Sequence, residues 1–294
     1  MLERLTAEMC RRCHLVSFDQ AEGLRRLLEL PKPRVLTFLS ALKEEEKSGM
    51  LINLGACLAR QGQRVLIVDA KSSPDSVGAW LNADLDQTLL DVAQQQRTMK
   101  EAIKLISSGL SVAMLSKYPT ALDQLPKENF RRLSRVFDIA VNNSDLVIVD
   151  SEIDVNDNFP IAALDDSEIV IQVSANPMTI KTAYGLIKRV NSRIGRRSYG
   201  ILVSGVTEKQ AQLVYSNMAQ AANRYLAVPL NFVGYLPEDD HMKKAAHLGR
   251  SVIDAFPLAG ASLAFSFLAQ QFTQKARSAF AKQELHRLGL SLEV

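Results

Sequence analysis

The chain has 294 residues, of which 47% are hydrophobic, and its formal charge at neutral pH is +3. A chain of this length can bury about three quarters of the surface that it exposes when unfolded, which is enough for one large domain or two small ones. The small net charge does not by itself indicate a nucleic-acid-binding protein. No apolar run reaches the ~20 residues of a membrane-spanning helix, and the first residues lack the apolar segment of a secretion signal. We therefore expect a globular cytoplasmic protein whose three cysteines form no disulfide framework.

The predicted elements begin with an N-terminal arm over residues 1–30. Cys10, Cys13 and His14 match the C-x-x-C-H spacing of a haem-attachment site. Because haem is attached outside the cytoplasm, we interpret them as ordinary helix residues and expect no metal site. Residues 17–28, with the sequence "SFDQAEGLRRLL", predict a short amphipathic helix.

Seven short runs of apolar and β-branched residues follow the arm, and such runs are typical of buried parallel strands. The runs are residues 34–40, 64–70, 111–116, 146–151, 169–174, 200–206 and 231–236. Helical segments lie between them, for example the one that places Phe130, Leu133 and Phe137 on one face. The alternation predicts an α/β fold with a doubly wound, mostly parallel sheet and helices on both faces.

The sheet and its helices are predicted to form a main domain over residues 31–258, followed by a helical tail over residues 259–294. The tail spaces Phe265, Leu268 and Phe272 at helical intervals, with basic residues nearby. Two interpretations of the tail stay open. It packs against the main domain, or it makes weak, reversible contact with a membrane as an amphipathic helix.

Several stretches of the main domain resemble one family when they are taken together. They are "INLGACLARQGQRVLIVDA", "SDLVIVDS", "ANPMTIKTAYGLIKRVN", "GILVSGV" and "NFVGYLPEDDHMKKAAHLGRSVIDAFP". From about residue 33 to 270 the chain resembles the MinD/ParA class of P-loop ATPases and, within that class, the flagellar-number regulators of the FlhG (FleN) type. The resemblance implies a SIMIBI, MinD-like P-loop fold. It also implies that ATP and Mg²⁺ are the ligands of intact relatives.

The stretch that corresponds to the family's phosphate loop departs from the pattern K-G-G-V-G-K-T. The residues at these seven positions are Leu42, Lys43, Glu44, Glu45, Glu46, Lys47 and Ser48. A phosphate loop needs glycines because its backbone N–H groups close around the anion, in a volume that a side chain would occupy. One carboxylate at ~4 Å from a phosphate charge would cost about 4 kcal/mol at an effective dielectric constant of 20. The family's signature lysine falls on Leu42, and only the final Lys-Ser pair is kept.

Two interpretations of the glutamates stay open. The following helix, which we expect to begin near Lys47, has a partial positive charge at its amino end that acidic side chains stabilise. Glu44 to Glu46, together with Lys47, would then hold a conformation that ATP otherwise selects. Alternatively, the glutamates form a solvated acidic turn.

Four further positions correspond to the family's nucleotide site. Asp69 and Asp150 stand where the family has acids near magnesium, although acids at strand ends also bind neighbouring loops. The acid that orients water in the family is replaced by Lys71, and the asparagine that reads adenine is replaced by Ser204. The sequence therefore predicts a pseudo-ATPase with no catalytic residues, no metal site and no cofactor.

The arm carries a separate resemblance. "DQAEGLRRLL", which starts at Asp19, is similar to the DQA-x-x-LR motif that stimulates the flagellar signal-recognition-type GTPase FlhF in the FlhG family. The resemblance implies that the arm binds FlhF, with Gln20 near the nucleotide of the GTPase. The candidate partner-binding residues are Asp19, Gln20, Ala21, Leu24 and Arg25.

These observations together predict a non-catalytic, FlhG-like regulator of flagellar number or placement that acts on FlhF. Flagellar structural or regulatory proteins are further candidate partners, and transient location at the membrane or cell pole stays open. One alternative is an ATP-dependent switch ATPase with an unusual loop. The other is a ParA-like, DNA-associated partition protein that uses the basic residues 188–197. Since no aromatic residues interleave with these basic residues, we expect a solvated helix face and no nucleic-acid partner.

Overall fold

The structure is a computed structural model that describes residues 33–71, 77–81, 85–118, 122 and 125–287, with the backbone alone at Glu44, Ala79 and 275–287. The N-terminal arm lies outside the described residues. The C-x-x-C-H segment, the DQA-x-x-LR-like motif and the predicted division into arm, main domain and tail therefore stay predictions.

The described residues form an eight-stranded sheet. Its strands are β1 (Arg34–Ser40), β2 (Val65–Asp69), β3 (Ile103–Ser107), β4 (Leu110–Met114), β5 (Leu146–Asp150), β6 (Glu168–Val173), β7 (Tyr199–Ser204) and β8 (Leu230–Leu236). The spatial order is β3-β4-β2-β5-β1-β6-β7-β8. Neighbouring strands are parallel apart from the antiparallel pair β3 and β4. The predicted mostly parallel sheet is confirmed, and each of the predicted strands is present.

One strand, β3, was not predicted from the sequence. It lies at the edge of the sheet, and none of its residues is fully buried. Its sequence "IKLIS" therefore lacks the continuous apolar run that marks the buried strands. The tight turn into β4 uses Gly109 at φ +82°, a left-handed conformation that glycine adopts readily.

Helices cover both faces of the sheet. They are α1 (Glu44–Arg60), α2 (Val77–Trp80), α3 (Leu89–Ala93), α4 (Met99–Ala102), α5 (Lys127–Val141), α6 (Pro177–Ile194), α7 (Glu208–Leu226), α8 (Asp240–His247), α9 (Val252–Ala255) and α10 (Gly260–Arg287). Buried residues of α3, α5, α6 and α7 form the core on one face, and those of α1, α8, α9 and α10 form the core on the other. The prediction of a doubly wound sheet is confirmed.

The helix α10 (Gly260–Arg287) lies within the predicted tail. Its side chains Phe265, Leu268 and Phe272 are buried in the same core as α1. The Arg34 guanidinium at the start of β1 donates a hydrogen bond to the carbonyl oxygen of Phe272 at 2.5 Å. Packing of the tail against the sheet is therefore confirmed for these three residues. Within the described parts of the chain, no helix is both long and apolar enough to cross a membrane.

Candidate functional site

The candidate site lies where β1, β2 and β5 end, at the carboxyl edge of the sheet. Asp69 and Asp150 end neighbouring strands and are register partners. Phe38 of β1 is the register partner of Asp150 on its other side. Both aspartates are almost completely buried. This edge is where α/β sheets bind ligands, and the strand order brings the two acids together there.

The connection between β1 and α1 is short. The strand ends at Ser40 and the helix begins at Glu44, so that the expectation of a helix beginning near Lys47 is wrong. The N–H of Lys47 donates to the carbonyl oxygen of Lys43 at 3.2 Å, which is a helical hydrogen bond. Glutamate is a good helix former, and acidic residues stabilise the first turn of a helix, which explains the earlier start.

The side chains of this first turn have different environments. Lys43, Glu45 and Glu46 are exposed, whereas Lys47 and Ser48 are buried. Glu45 and Glu46 therefore lie exposed within the first turn of α1, and the predicted acidic turn ahead of the helix is corrected to that extent. Negative charge at this end of the helix interacts favourably with the partial positive charge of its N–H groups.

Lys47 makes the central contact of the site. Its side chain is only 2% exposed, and its Nζ forms an ion pair with Oδ1 of Asp150. The same ammonium group donates a hydrogen bond to the carbonyl oxygen of Ser151 at 2.7 Å. The N–H of Ser151 in turn donates to the carbonyl oxygen of Phe38 at 3.2 Å. Lys47 thus ties α1 to the end of β5, next to β1.

The two aspartates differ in their other contacts. Oδ1 of Asp69 accepts a hydrogen bond from the N–H of Lys71 at 3.1 Å. The Lys71 ammonium lies 3.5 Å from a carboxylate oxygen of Glu152. Oδ2 of Asp150 is buried and accepts no hydrogen bond from any residue that the structure describes. Oδ1 of Asp150 therefore pairs with the Lys47 ammonium group, and Oδ2 can still accept a hydrogen bond.

A chain of hydrogen bonds joins the β1–α1 connection to β7. The N–H of Leu42 donates to Oγ of Ser40 at 3.0 Å, and this hydroxyl donates to Oε1 of Gln172 at 3.3 Å. The amide nitrogen of Gln172 donates to Oγ of Ser204 at 3.0 Å. Ser204 therefore holds the connection in place through Gln172. Sequence reasoning missed Gln172, although a polar residue within the apolar run of β6 was a signal for it.

The segment after β5 forms a folded loop around Asp154. Burial raises the pKa of the Asp154 carboxyl, but hydrogen bonds from Asn158 and from the N–H of Asn156 outweigh burial, and the pKa lies below its ordinary value. Charge on Asp154 therefore stabilises the loop.

Three arginines of the basic segment bind the residues after β5, and two of them, Arg189 and Arg193, lie on α6. Arg189 pairs with Asp157 and donates to the carbonyl oxygen of Asp154 at 2.6 Å. Arg193 donates to the side chain of Asn158 at 2.8 Å, and Arg197 donates to a carbonyl oxygen at the end of the loop. Arg193 is exposed and Arg189 is partly exposed, as expected of a solvated helix face, but both also bind the loop.

A cleft of about 580 Å³ runs beside the same loop. Leu122, Phe130 and Phe159 supply apolar lining, while Lys71 and Glu152 lie on its polar side. The cleft has the size of a small-molecule pocket. Two of its charged residues, Lys71 and Glu152, form an ion pair.

Lys47, in the first turns of α1, makes its polar contacts within the protein. A phosphate-binding loop needs backbone N–H groups and a lysine that are both directed at the anion. Here the N–H and the ammonium of Lys47 are both used within the protein. The described residues also contain no group of three or more His, Cys, Asp or Glu side chains that could hold a metal ion. The candidate partner-binding residues of the arm lie outside the described residues.

Comparisons with known proteins identify relatives over most of the chain's length. The antiactivator FleN of Pseudomonas aeruginosa is 26% identical over 226 residues, which cover 76% of this chain and 81% of FleN. The septum site-determining protein MinD of Synechocystis is 22% identical over 245 residues, covering 81% of this chain and 88% of MinD. No protein-family model matches the chain.

A solved structure shows the same fold. The ParA family ATPase from Chlorobium tepidum superposes with a TM-score of 0.63 at 19% identity, covering 82% of this chain and 99% of the ATPase. The MinD-like α/β fold predicted from the sequence is therefore confirmed.

Proposed function

We propose that this chain, which is related to the MinD/ParA family of P-loop ATPases and to FleN, is a regulator that works without binding or hydrolysing ATP. In this proposal it acts in the cytoplasm on flagellar number or placement. Its partners are proteins, and FlhF is the first candidate among them.

The contact that supports this proposal is the one between Lys47 and Asp150. A lysine that serves a phosphate has to extend toward the ligand, whereas the Lys47 side chain is buried and turned toward the end of β5. Removing one partner of a buried ion pair typically costs about 3–5 kcal/mol because the other charge is left uncompensated, so a nucleotide that drew Lys47 away would have to leave Asp150 with another partner. Exposed Glu45 and Glu46 would also repel the phosphates.

One alternative has a specific observation in its favour. Asp69, Asp150, Lys47 and Ser48 keep the residue types that a switch ATPase of this family uses. If the ion pair opened readily, these residues would again be available to a nucleotide. A nucleotide titration separates the two functions.

The test is isothermal titration of the full chain with ATP in the presence of Mg²⁺, combined with a phosphate-release assay. We expect no saturable heat and no phosphate release above the rate without protein. Saturable binding in the micromolar range would contradict an ATP-independent regulator and favour the switch ATPase.

The proposed action on FlhF rests on the arm. FleN is named an antiactivator, which is a role exercised on another protein. The motif from Asp19 to Arg25 supports FlhF as the partner. A short helix of about 12 residues is only marginally stable alone and gains order by docking its apolar stripe into a groove.

The partner assignment is tested by GTP hydrolysis of FlhF with the full chain, without ATP. We expect the wild-type chain to increase the rate and Gln20→Ala to abolish the increase. Glu22→Ala is the matched control, because position 22 is variable in the motif, and it should act like the wild type. A rate that the wild-type chain leaves unchanged would remove FlhF as the proposed partner.

A further inference from the structure

We propose that the cleft beside the loop after β5 binds a small organic cation, in which an ammonium or guanidinium group is attached to an apolar body the size of an aromatic ring. The apolar body lies against Phe130 and Phe159, and the cationic group pairs with the carboxylate of Asp165. This inference goes beyond the proposed function and does not depend on it, because neither ATP nor FlhF takes part.

The first observation is the apolar wall of the cleft. The cleft has a volume of about 580 Å³, which is in the range of small-molecule sites. Phe159 is 7% exposed and belongs to the core on the face of the sheet that α5 and α6 cover, and Phe130 and Leu122 pack against that core. Because the wall is part of the packed core, it is formed without a ligand.

The second observation is the balance of charge in the cleft. Three carboxylates and two cationic groups line it, which leaves an excess of negative charge. These residues are Glu152, Asp154, Asp165, Lys71 and Arg193. Since an anionic ligand would meet this excess of carboxylates, the charge of the lining favours a cationic ligand.

Most of these charged groups already have partners within the protein. The Lys71 ammonium lies 3.5 Å from a carboxylate oxygen of Glu152. Asp154 accepts hydrogen bonds from two N–H groups of its own loop, and Arg193 donates to the side chain of Asn158 at 2.8 Å. The two cationic groups are thus bound to other residues, and so are two of the three carboxylates.

Asp165 is the carboxylate that remains available to a ligand. Its N–H donates to the carbonyl oxygen of Ala162 and its carbonyl oxygen accepts from Arg197, so that its backbone is held in place. Its carboxylate makes no hydrogen bond or ion pair with any residue that the structure describes. Burial raises the pKa of this carboxyl group, although the charges of Arg193 and Arg197 oppose the effect. A partly buried carboxylate of this kind is stabilised by a cation placed directly against it.

The apolar wall and the carboxylate together determine the class of ligand. A metal ion would leave the apolar wall unused, and the described residues contain no group of three or more His, Cys, Asp or Glu side chains that could hold one. A neutral apolar ligand would leave Asp165 without a partner. An organic cation satisfies both sides of the cleft, and its charge also interacts favourably with an aromatic ring such as that of Phe130.

The experiment is a titration of the full chain with phenethylamine, which is a cation at neutral pH, and with phenethyl alcohol, a neutral molecule of nearly the same size. Binding is measured by saturation-transfer NMR of the ligand, in the absence of nucleotide. We expect the wild-type chain to bind the amine at least about tenfold more tightly than the alcohol.

Three variants assign this preference to the cleft. Asp165→Asn should abolish the preference for the amine, because the amide keeps the shape of the side chain and removes its charge. Asp166→Asn is the matched control and should keep the preference, since Asp166 is exposed and does not line the cleft. Phe130→Ala should weaken the binding of both molecules, because it removes part of the apolar wall.

Four outcomes of the titration overturn the inference. They are a wild-type chain that binds the amine no better than the alcohol or binds neither, a preference that survives Asp165→Asn, an equal loss of preference in Asp166→Asn, and a Phe130→Ala that binds both molecules as the wild type does. None of them involves ATP or FlhF, so that the proposed function is judged separately.

A second measurement uses the wild-type chain and applies if a variant folds poorly. Saturating phenethylamine should slow amide hydrogen exchange in residues 127–131 at the start of α5 and in residues 153–166 after β5. An amine that binds and leaves the exchange of both segments unchanged would lie elsewhere on the protein, and the inference would fail.

Discussion

Replacement of Phe265 by alanine tests how the C-terminal helix contributes to the fold. Phe265 is 0% exposed and lies in the core that α10 shares with α1. Deleting a buried phenylalanine ring typically costs about 3–5 kcal/mol, because the lost burial is combined with a cavity. Since domains of this kind are stable by only about 5–15 kcal/mol, we expect Phe265→Ala to lower the free energy of unfolding by a large fraction.

The matched control is Phe267→Ala on the same helix, where the ring is 56% exposed. The assay is urea unfolding followed by circular dichroism. The free energies of unfolding of the two variants are compared once both are found to have the m-value of the wild type. Phe267→Ala should change the free energy of unfolding by about 0.5 kcal/mol or less. Equal, small losses for both variants would refute the packing of α10, and would favour the alternative in which the tail faces a membrane.

Three further predictions concern the fold around the site. Gly234→Ala should lower the free energy of unfolding by more than about 1 kcal/mol in urea titrations, because Gly234 has φ +150° and an added Cβ would lie 2.4 Å from a leucine of α10. Burial raises the pKa of Asp239, but N–H groups of Ala261 and His241 lower it overall. Charged Asp239 therefore stabilises the fold at pH values above the ordinary carboxyl pKa. This stabilisation is lost as the pH falls through the lower pKa that Asp239 has in the folded state. Asp239→Asn should flatten the acid side of a stability profile against pH. Arg189→Met should speed amide exchange in the loop after β5 and change global stability by less than about 1 kcal/mol, since the arginine is partly exposed.

The sheet was predictable because most of its strands are buried on both faces. Runs such as the one in β5 are continuously apolar, and that pattern separates them from the helices. The edge strand β3 has no such pattern, so its sequence resembles that of a loop or a short helix. The predictable part of the fold is thus the part in which burial alone determines the residue types.

The candidate site was predictable only in its position. The departures at Lys43, Glu44 and Glu46 are visible in the sequence, but where the helix begins depends on the balance between helix formation and loop closure. The pairing of Lys47 with Asp150 joins residues that are far apart in the chain, and no local pattern indicates it. The tertiary structure therefore determines that Lys47 pairs with Asp150.

Amide hydrogen exchange of residues 44–48, measured with and without ATP and Mg²⁺, tests most directly whether the protein closes this site by itself. The account predicts that the N–H of Lys47 is protected in the free chain, because it donates to Lys43 within the helix. It also predicts that saturating nucleotide leaves the exchange of the whole segment unchanged. Fast exchange at Lys47 in the free chain, followed by protection when ATP and Mg²⁺ are added, would contradict it.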